Sequence, residues 1–133
     1  MEMEKQIKHY ENKLAYEMDS SDLFEALRNG EKIIPLDARK EFGYEAEHIP
    51  GAVNIPHREM TEQSTKHLDK SFLYAVYCDG IGCNASTKGA LNMTKLGFTV
   101  KELIGGLEWW KLEGYQTDGI NGNQEGQKIE CAC

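Results

Sequence analysis

The sequence lacks the features that mark several classes of protein. It has no apolar run approaching the ~18 residues of a membrane-spanning helix, and residues 1–16 are too charged to form a signal peptide. It also lacks a basic excess, because 22 Asp and Glu outnumber 15 Lys and Arg and leave a net charge of -7. Nucleic acids and anionic membranes bind basic faces, so we expect neither as a partner. The sequence therefore predicts a cytoplasmic protein.

Cysteine is scarce, and its placement excludes a disulfide scaffold. The four cysteines, at positions 78, 83, 131 and 133, all lie in the second half of the chain. A small secreted domain spreads its cysteines over the whole chain, because they have to tie it together. Two close pairs in an acidic protein are more typical of redox chemistry, sulfur chemistry or metal binding.

The remaining composition predicts a single α/β domain. The chain has 133 residues, of which 40% are hydrophobic, and this is the length of one domain with a core. Apolar runs of strand length alternate with helical patterns, as in a parallel sheet covered by helices. The predicted strands span 32–36, 52–55, 72–78 and 99–104; the predicted helices span 4–16, the stretch between 20 and 30, part of 57–70, 86–96 and 107–112.

The two ends of the chain differ from its middle in composition. We expect an N-terminal helix at 1–16, a domain over 14–116 and a flexible C-terminal tail over 117–133. The tail is rich in Gly, Asn and Gln, has few apolar residues and ends in Cys-Ala-Cys. Inside the domain, residues 40–56 are rich in Gly and Pro and are predicted to form a loop around the short strand.

The sharpest local signal is the loop that follows the buried strand at 72–78. Cys78 stands at the carboxyl end of that strand, where open α/β sheets bind ligands. Gly80 and Gly82 suit a loop whose N–H groups point inward, and the next helix adds the N–H groups of its first turn. A cysteine there is expected to have a pKa well below the ordinary value of about 8.5. The alternative is a structural cysteine packed as a small apolar residue.

Further segments follow one another in a fixed order along the chain. They are Leu36-Asp37-Ala38-Arg39; an aromatic residue, three residues, His-Ile-Pro-Gly-Ala, two residues and an apolar residue at 44–55; Val76-Tyr77-Cys78; Gly97-Phe98; Gly105-Gly106; and Trp110 four residues before Gly114. In this order, from about residue 14 to residue 116, they resemble the single-domain rhodaneses, a family of sulfurtransferases. The resemblance implies a three-layer α/β sandwich with a central, mostly parallel sheet flanked by helices.

The resemblance also implies a reaction. Cys78 would take a sulfane sulfur from a donor such as thiosulfate or a persulfide, hold it as a cysteine persulfide and pass it to a thiophilic acceptor. Donor and acceptor would be small molecules or protein-borne groups, with no cofactor or metal, and the chain would be a monomer or homodimer. Asp37 and Lys88 are candidates for tuning the site. The loop that would hold the persulfide comprises Asp79, Gly80, Ile81, Gly82, Asn84, Ala85 and Ser86.

The loop departs from the family's common form. It is longer, it has a second cysteine at Cys83, and it has Asn84 where phosphatases and arsenate reductases of this fold carry a clamping Arg. No Arg follows Arg58, which argues against phosphoryl transfer and weakens the case for dianionic thiosulfate as donor. Cys83 is a resolving thiol that closes a disulfide with Cys78, a packing residue, or the nucleophile itself.

The terminal cysteines and the overall function keep alternatives open. Cys131 and Cys133 are an internal sulfur relay, part of a four-thiolate zinc site with the two loop cysteines, or an exposed end open to oxidation. One rival function is a non-catalytic rhodanese-like binding or regulatory module, against which the retained Cys78 argues. The other is a thiol redox or metal-handling protein that uses Cys78 and Cys83.

Overall fold

Five parallel strands form the central sheet of the computed structural model of the protein, which describes residues 1–129. The strands are β1 (Glu17–Met18), β2 (Ile33–Asp37), β3 (Val53–Asn54), β4 (Leu73–Tyr77) and β5 (Thr99–Leu103). Their order across the sheet is β1-β5-β4-β2-β3, and every pairing is parallel. The helices are α1 (Glu2–Tyr16), α2 (Ser20–Arg28), α3 (Glu41–Ala46), α4 (Glu62–Thr65), α5 (Ala85–Lys95) and α6 (Gly106–Leu112), with a 3-10 turn at His57–Glu59. The predicted α/β sandwich is confirmed.

Helices cover both faces of the sheet. Successive side chains of a strand point to opposite faces, so a strand that is apolar throughout needs helices on both sides. In β4, Ala75 and Tyr77 belong to the apolar cluster formed with α2 and α6, whereas Tyr74 and Val76 belong to the cluster formed with α5. All four side chains are buried. A strand that is apolar on both faces is typical of the centre of a parallel sheet. β4 therefore delivers the next residue, Cys78, to the middle of the sheet's carboxyl edge.

Two short elements occur where the sequence predicts none. The stretch 40–56, predicted as a loop, contains α3, and residues 17–18 form the edge strand β1. α3 buries none of its six residues, so no apolar period marks it in the sequence. β1 is two residues long and pairs with β5, a strand far along the chain. Neither element has a local signal that is strong enough to predict it.

The predicted N-terminal helix forms, but its apolar side is not covered. α1 has no buried residue. Ile7, Tyr10 and Leu14, whose spacing predicts an apolar face, are 53%, 53% and 78% exposed. Over residues 1–129, no helix combines the length and the hydropathy needed to cross a membrane.

The segment after α6 differs from the flexible tail that its composition predicts. The Thr117 side chain is buried, and its hydroxyl donates a hydrogen bond to the Glu47 carboxylate at 2.6 Å. The backbones of Asp118 and His48 exchange two N–H···O=C bonds of 2.9 Å. Polar residues and glycines here form turns and backbone bonds instead of a core, which is why composition alone suggests disorder. Residues 117–129 fold back onto the domain, which corrects the prediction of a flexible tail from residue 117.

Candidate active site

The backbone of Cys78 is held at the end of β4 by the start of α6. Cys78 directly follows β4 and is 1% exposed. Its carbonyl oxygen accepts a hydrogen bond from the Leu107 N–H at 2.9 Å, and the Asp79 carbonyl oxygen accepts one from the Glu108 N–H at 2.8 Å. Gly106, with a φ of 57°, allows this approach, because a Cβ there would overlap the Cys78 carbonyl oxygen. The first turn of α6 therefore fixes the point at which the loop leaves the sheet.

The thiol of Cys78 faces two carbonyl oxygens of the loop, where the sequence predicts N–H groups that point inward. Its Sγ lies 3.0 Å from the Cys83 carbonyl oxygen and 3.9 Å from the Gly80 carbonyl oxygen. A protonated thiol can donate to these oxygens, whereas they would repel a thiolate. Burial raises the pKa of the Cys78 thiol and the Cys83 thiol raises it further, while the N–H and hydroxyl of Ser86 lower it. The net shift is upward, so the predicted lowering of this pKa is wrong for this loop conformation.

The raised pKa of Cys78 leads to a prediction about pH. The neutral thiol is favoured, so the thiolate fraction grows only as the pH passes above the ordinary range of cysteine. The rate of Cys78 alkylation by iodoacetamide should therefore increase with pH, with its midpoint above about 8.5, the value of a free cysteine. Peptide mass spectrometry resolves the alkylation of Cys78 from that of the other cysteines. A rate that reaches its plateau below this pH would contradict a neutral Cys78 thiol that faces the carbonyl oxygens of the loop.

A cleft of about 430 Å³ lies beside the loop, and Cys83 lines it whereas Cys78 does not. The walls come from the end of β2 with the start of α3, from the 3-10 turn and from the loop itself. The other lining residues are Ala38, Arg39, Lys40, Phe42, Gly43, Pro56, His57, Arg58, Glu59, Asp79 and Ala85. Apolar side chains share these walls with three cationic side chains and with the carboxylates Glu59 and Asp79, and the volume lies in the range of sites for organic ligands. The cleft can therefore accept a molecule that combines an anionic group with apolar parts.

Arg39 connects the loop after Cys78 to the rest of the domain. Its Nε and Nη2 donate to the Asp37 carboxylate at 2.9 and 2.6 Å, and its Nη1 donates to the Asp79 carboxylate at 3.1 Å. Its Nη2 also donates to the Glu47 carbonyl oxygen at 2.6 Å. Burial by itself lowers the pKa of Arg39, but the bonds to Asp37 and Asp79 raise it above the ordinary value. The charge of Asp79 is thus paired, and Asp37, a predicted tuning residue, acts on the loop through Arg39.

Glu102 fixes the first turn of α5, a role that its sequence context does not indicate. The hydroxyls of Ser86 and Thr87 donate to its Oε2 at 3.0 and 2.7 Å. Its backbone pairs with Val76 in the parallel register of β4 and β5. A carboxylate near the N-terminus of a helix is favoured by the free N–H groups there. A lone Glu in a strand usually faces solvent, so its spacing does not predict this contact.

The cations of the cleft come mainly from the first half of the chain. Lys88, the candidate that the sequence suggests, is exposed on α5. Burial lowers the pKa of His57, and the charges of Arg58 and Lys88 lower it further. Because the charge of Lys88 acts on His57, Lys88 lies near the 3-10 turn. Arg39, Lys40 and Arg58 line the cleft directly. The absence of Arg after residue 58 therefore does not deprive the site of cationic side chains.

The remaining predicted residues divide between the loop and the end of the chain. The loop tip is open to solvent, with Ile81 77% exposed. Cys131 and Cys133 lie outside the described residues, so the relay and the four-thiolate zinc site stay predictions. Within residues 1–129, no group of three or more His, Cys, Asp and Glu side chains is arranged to hold a metal ion.

Comparison with known proteins identifies related sequences. Residues 20–113 match the rhodanese-like domain family. Over 93 residues the chain is 37% identical to the thiosulfate sulfurtransferase GlpE of Coxiella burnetii, covering 68% of this chain and 82% of that protein. Over 74 residues it is 35% identical to the thiosulfate sulfurtransferase PspE of Escherichia coli, covering 55% and 69%. An HTH-type transcriptional regulator of Mycobacterium tuberculosis is 32% identical over 91 residues, which are 68% of this chain and 40% of the regulator.

Solved structures share the fold. The BH2092 protein of Bacillus halodurans is 40% identical, with a TM-score of 0.86 over 93% of this chain and 91% of that one. The rhodanese-like domain of the Alr3790 protein of Anabaena sp. is 32% identical, with a TM-score of 0.70 over 79% and 80%. The family match spans more than half of the chain and includes the sheet from β2 to β5, the Cys78 loop and α6. The chain therefore belongs to the rhodanese-like family.

Proposed function

We propose that this protein is a sulfurtransferase that carries a sulfane sulfur on Cys78. The observation that carries the proposal is the location of Cys78 at the carboxyl end of the central strand, in a loop that borders a cation-lined cleft. The two relatives named thiosulfate sulfurtransferase, at 35% and 37% identity, support this class of reaction. No cofactor is required, because the cysteine itself carries the transferred atom.

In the first half-reaction, the Cys78 thiol loses its proton and the thiolate attacks the sulfane sulfur of the donor. With thiosulfate, the S–S bond of the donor breaks, sulfite leaves with the bonding electrons, and Cys78 becomes a persulfide. With an organic persulfide, the leaving group is a thiolate. The charges of Lys40 and Arg58 on the cleft wall favour an anionic donor of either kind.

In the second half-reaction, a thiophilic acceptor attacks the outer sulfur and Cys78 leaves as a thiolate. A persulfide anion needs hydrogen-bond donors, and the N–H of Ser86 already favours negative charge on this sulfur, whereas the Ser86 hydroxyl donates its one proton to Glu102. The Cys83 carbonyl oxygen has to turn away, because it faces the sulfur at 3.0 Å. Gly82 suits such a movement, since even a Cβ at this position would meet no atom within 4 Å.

Intact-mass spectrometry tests the proposal directly. The fully reduced protein is incubated with thiosulfate or with glutathione persulfide, and its mass is recorded from the earliest time points. We expect the wild type to gain one sulfur atom that cyanide removes, and Cys78→Ser to gain none at this site. Cys83→Ser is the matched control, because it changes a thiol in the same loop.

The outcomes separate the rival functions. A wild-type protein that neither gains a sulfur atom nor loses two hydrogen atoms with either donor, its thiols shown to be reduced at the start, would contradict the proposal and favour a non-catalytic module. A gain that is lost only in Cys83→Ser would reassign the nucleophile to Cys83 and keep the sulfurtransferase reaction.

A further inference from the structure

The second loop cysteine lies against the first. The carbonyl oxygen of Cys83 is 3.0 Å from Cys78 Sγ, and only three bonded atoms separate that oxygen from the Cys83 sulfur. The two side chains interact, since the Cys83 thiol acts on the ionisation of Cys78. Both cysteines are free thiols. The sulfur that would accept the sulfane atom therefore has a second thiol beside it.

The two thiols differ in their access to solvent, and the loop between them can adjust. Cys78 is 1% exposed, whereas Cys83 is partly exposed and lines the cleft. Within the loop one backbone hydrogen bond of 3.2 Å, from the Cys83 N–H to the Gly80 carbonyl oxygen, closes the turn. A small movement of Cys83 towards Cys78 therefore breaks at most this one bond within the loop, and Gly82 has open space around it. A disulfide needs the two sulfurs at about 2.05 Å.

We propose that Cys83 discharges the Cys78 persulfide as sulfide, so that the protein also acts as a persulfide reductase. This inference rests on the proposed function, because it starts from the Cys78 persulfide. The Cys83 thiol loses its proton, and its thiolate attacks Sγ of Cys78. The Cys78–Cys83 disulfide forms, the S–S bond of the persulfide breaks, and hydrosulfide leaves with the bonding electrons and takes up a proton as hydrogen sulfide.

The electron balance of this step requires no external oxidant. The two cysteine sulfurs are oxidised to the disulfide, and the outer sulfur of the persulfide is reduced to sulfide. Hydrogen sulfide is a stronger acid than a cysteine thiol, so hydrosulfide is the better leaving group. The attack is intramolecular, which favours it over a dilute external acceptor. A dithiol reductant that enters the cleft then attacks the sulfur of Cys83, the exposed member of the pair, and restores both thiols.

The experiment follows mass and sulfide together under anaerobic conditions. Reduced Cys131→Ser/Cys133→Ser protein receives glutathione persulfide, and the excess donor is removed at once. We expect a species one sulfur atom heavier that converts to one two hydrogen atoms lighter than the starting protein, with one sulfide released per disulfide. The tryptic peptide 71–88 contains both loop cysteines and should carry the loss of two hydrogens.

Loop variants make the experiment decisive. Cys83→Ser and Cys83→Ala, made in the same background, should hold the extra sulfur and release no sulfide until an acceptor is added. The inference would be overturned if the persulfide lasted as long with Cys83 present as without it; the proposed function would then still stand. Protein that shows neither the heavier nor the lighter species would instead refute the proposed function. Protein kept without donor should remain unchanged. A Cys78–Cys83 disulfide in that control would show that something other than the persulfide oxidises the two cysteines, and would overturn the inference.

Discussion

Replacing Gly106 with alanine is expected to lower the free energy of unfolding by about 4 kcal/mol. The φ of 57° at Gly106 is left-handed backbone, which costs an alanine about 1–2 kcal/mol. The new Cβ would also overlap the Cys78 carbonyl oxygen and lie 3.0 Å from the Asp79 carbonyl carbon. These backbone atoms cannot rotate away as a side chain can, so α6 has to shift off β4, at a further cost of about 1–3 kcal/mol.

Gly114→Ala is the matched control for Gly106→Ala. Gly114 has a φ of 83°, but a Cβ there would meet no atom within 4 Å. This variant has only the cost of placing an alanine in left-handed backbone. Its free energy of unfolding should fall by about 1 kcal/mol, measured by urea unfolding followed by circular dichroism. Equal losses in the two variants would show that the contact with the Cys78 backbone does not matter for stability.

Asp37→Ala is expected to cost about 3 kcal/mol of unfolding free energy. Asp37 has no solvent exposure, and the side chain of its partner Arg39 is 10% exposed. Removing the carboxylate leaves a nearly buried guanidinium whose one remaining ionic partner among residues 1–129 is the exposed Asp79. A buried charge that loses its partner keeps its desolvation penalty, which is why the loss exceeds that of an ordinary ion pair.

Two further variants isolate the contribution of this buried pair. Lys13→Ala breaks the ion pair of Lys13 with Glu17, whose side chains are 50% and 27% exposed, and should cost less than about 1 kcal/mol. Asp37→Ala/Arg39→Ala should lose less than the sum of its two single variants, because it leaves no unpaired buried charge. Chemical denaturation of the wild type and the four variants, with Arg39→Ala included for the cycle, measures both comparisons. If Asp37→Ala lost no more than Lys13→Ala, the pair would not be buried as described.

The elements that carry the site could be predicted from the sequence because their patterns are local. The apolar run at 72–78 contains β4, and the helical pattern at 86–96 coincides with α5 to within one residue at each end. Together they place Cys78 between a central strand and a helix. The family resemblance, which uses these same segments, is confirmed by the match over residues 20–113.

The conformation of the loop could not be predicted in the same way. Glycines at 80 and 82 are compatible with N–H groups or with carbonyl groups turned towards Cys78, although the strand–loop–helix pattern favours the N–H groups. In the structure the Cys83 carbonyl oxygen faces the thiol. Such a choice depends on a few weak bonds within the loop and on whether the sulfur is protonated. No spacing of residue types encodes it.

Contacts between segments that are distant in the chain could not be predicted from the sequence either. Arg39 and Arg58 belong to the first half of the chain. The pairing of β2 with β4 brings Arg39 next to the Cys78 loop, and the bonds of His57 to Ala38 and Asn92 place the turn that carries Arg58 there. The segment 117–129 is similar, because its polar residues gain their partners from α3 and His48. The composition of a segment describes that segment alone and does not predict which other segments it contacts.

The position of β1 at the edge of the sheet has a consequence for how the chain folds during synthesis. Residue 17 pairs with residue 102, so the strand of this sheet that is synthesised first pairs with the one that is synthesised last. Until β5 has emerged, β1 has no strand to pair with, and the apolar residues of α2 lack Leu103, Leu107 and Trp110 of their cluster. A nascent chain stalled with residue 99 still inside the exit tunnel should therefore be degraded rapidly by added protease. A chain stalled at a point where residue 112 has already left the tunnel should resist the protease.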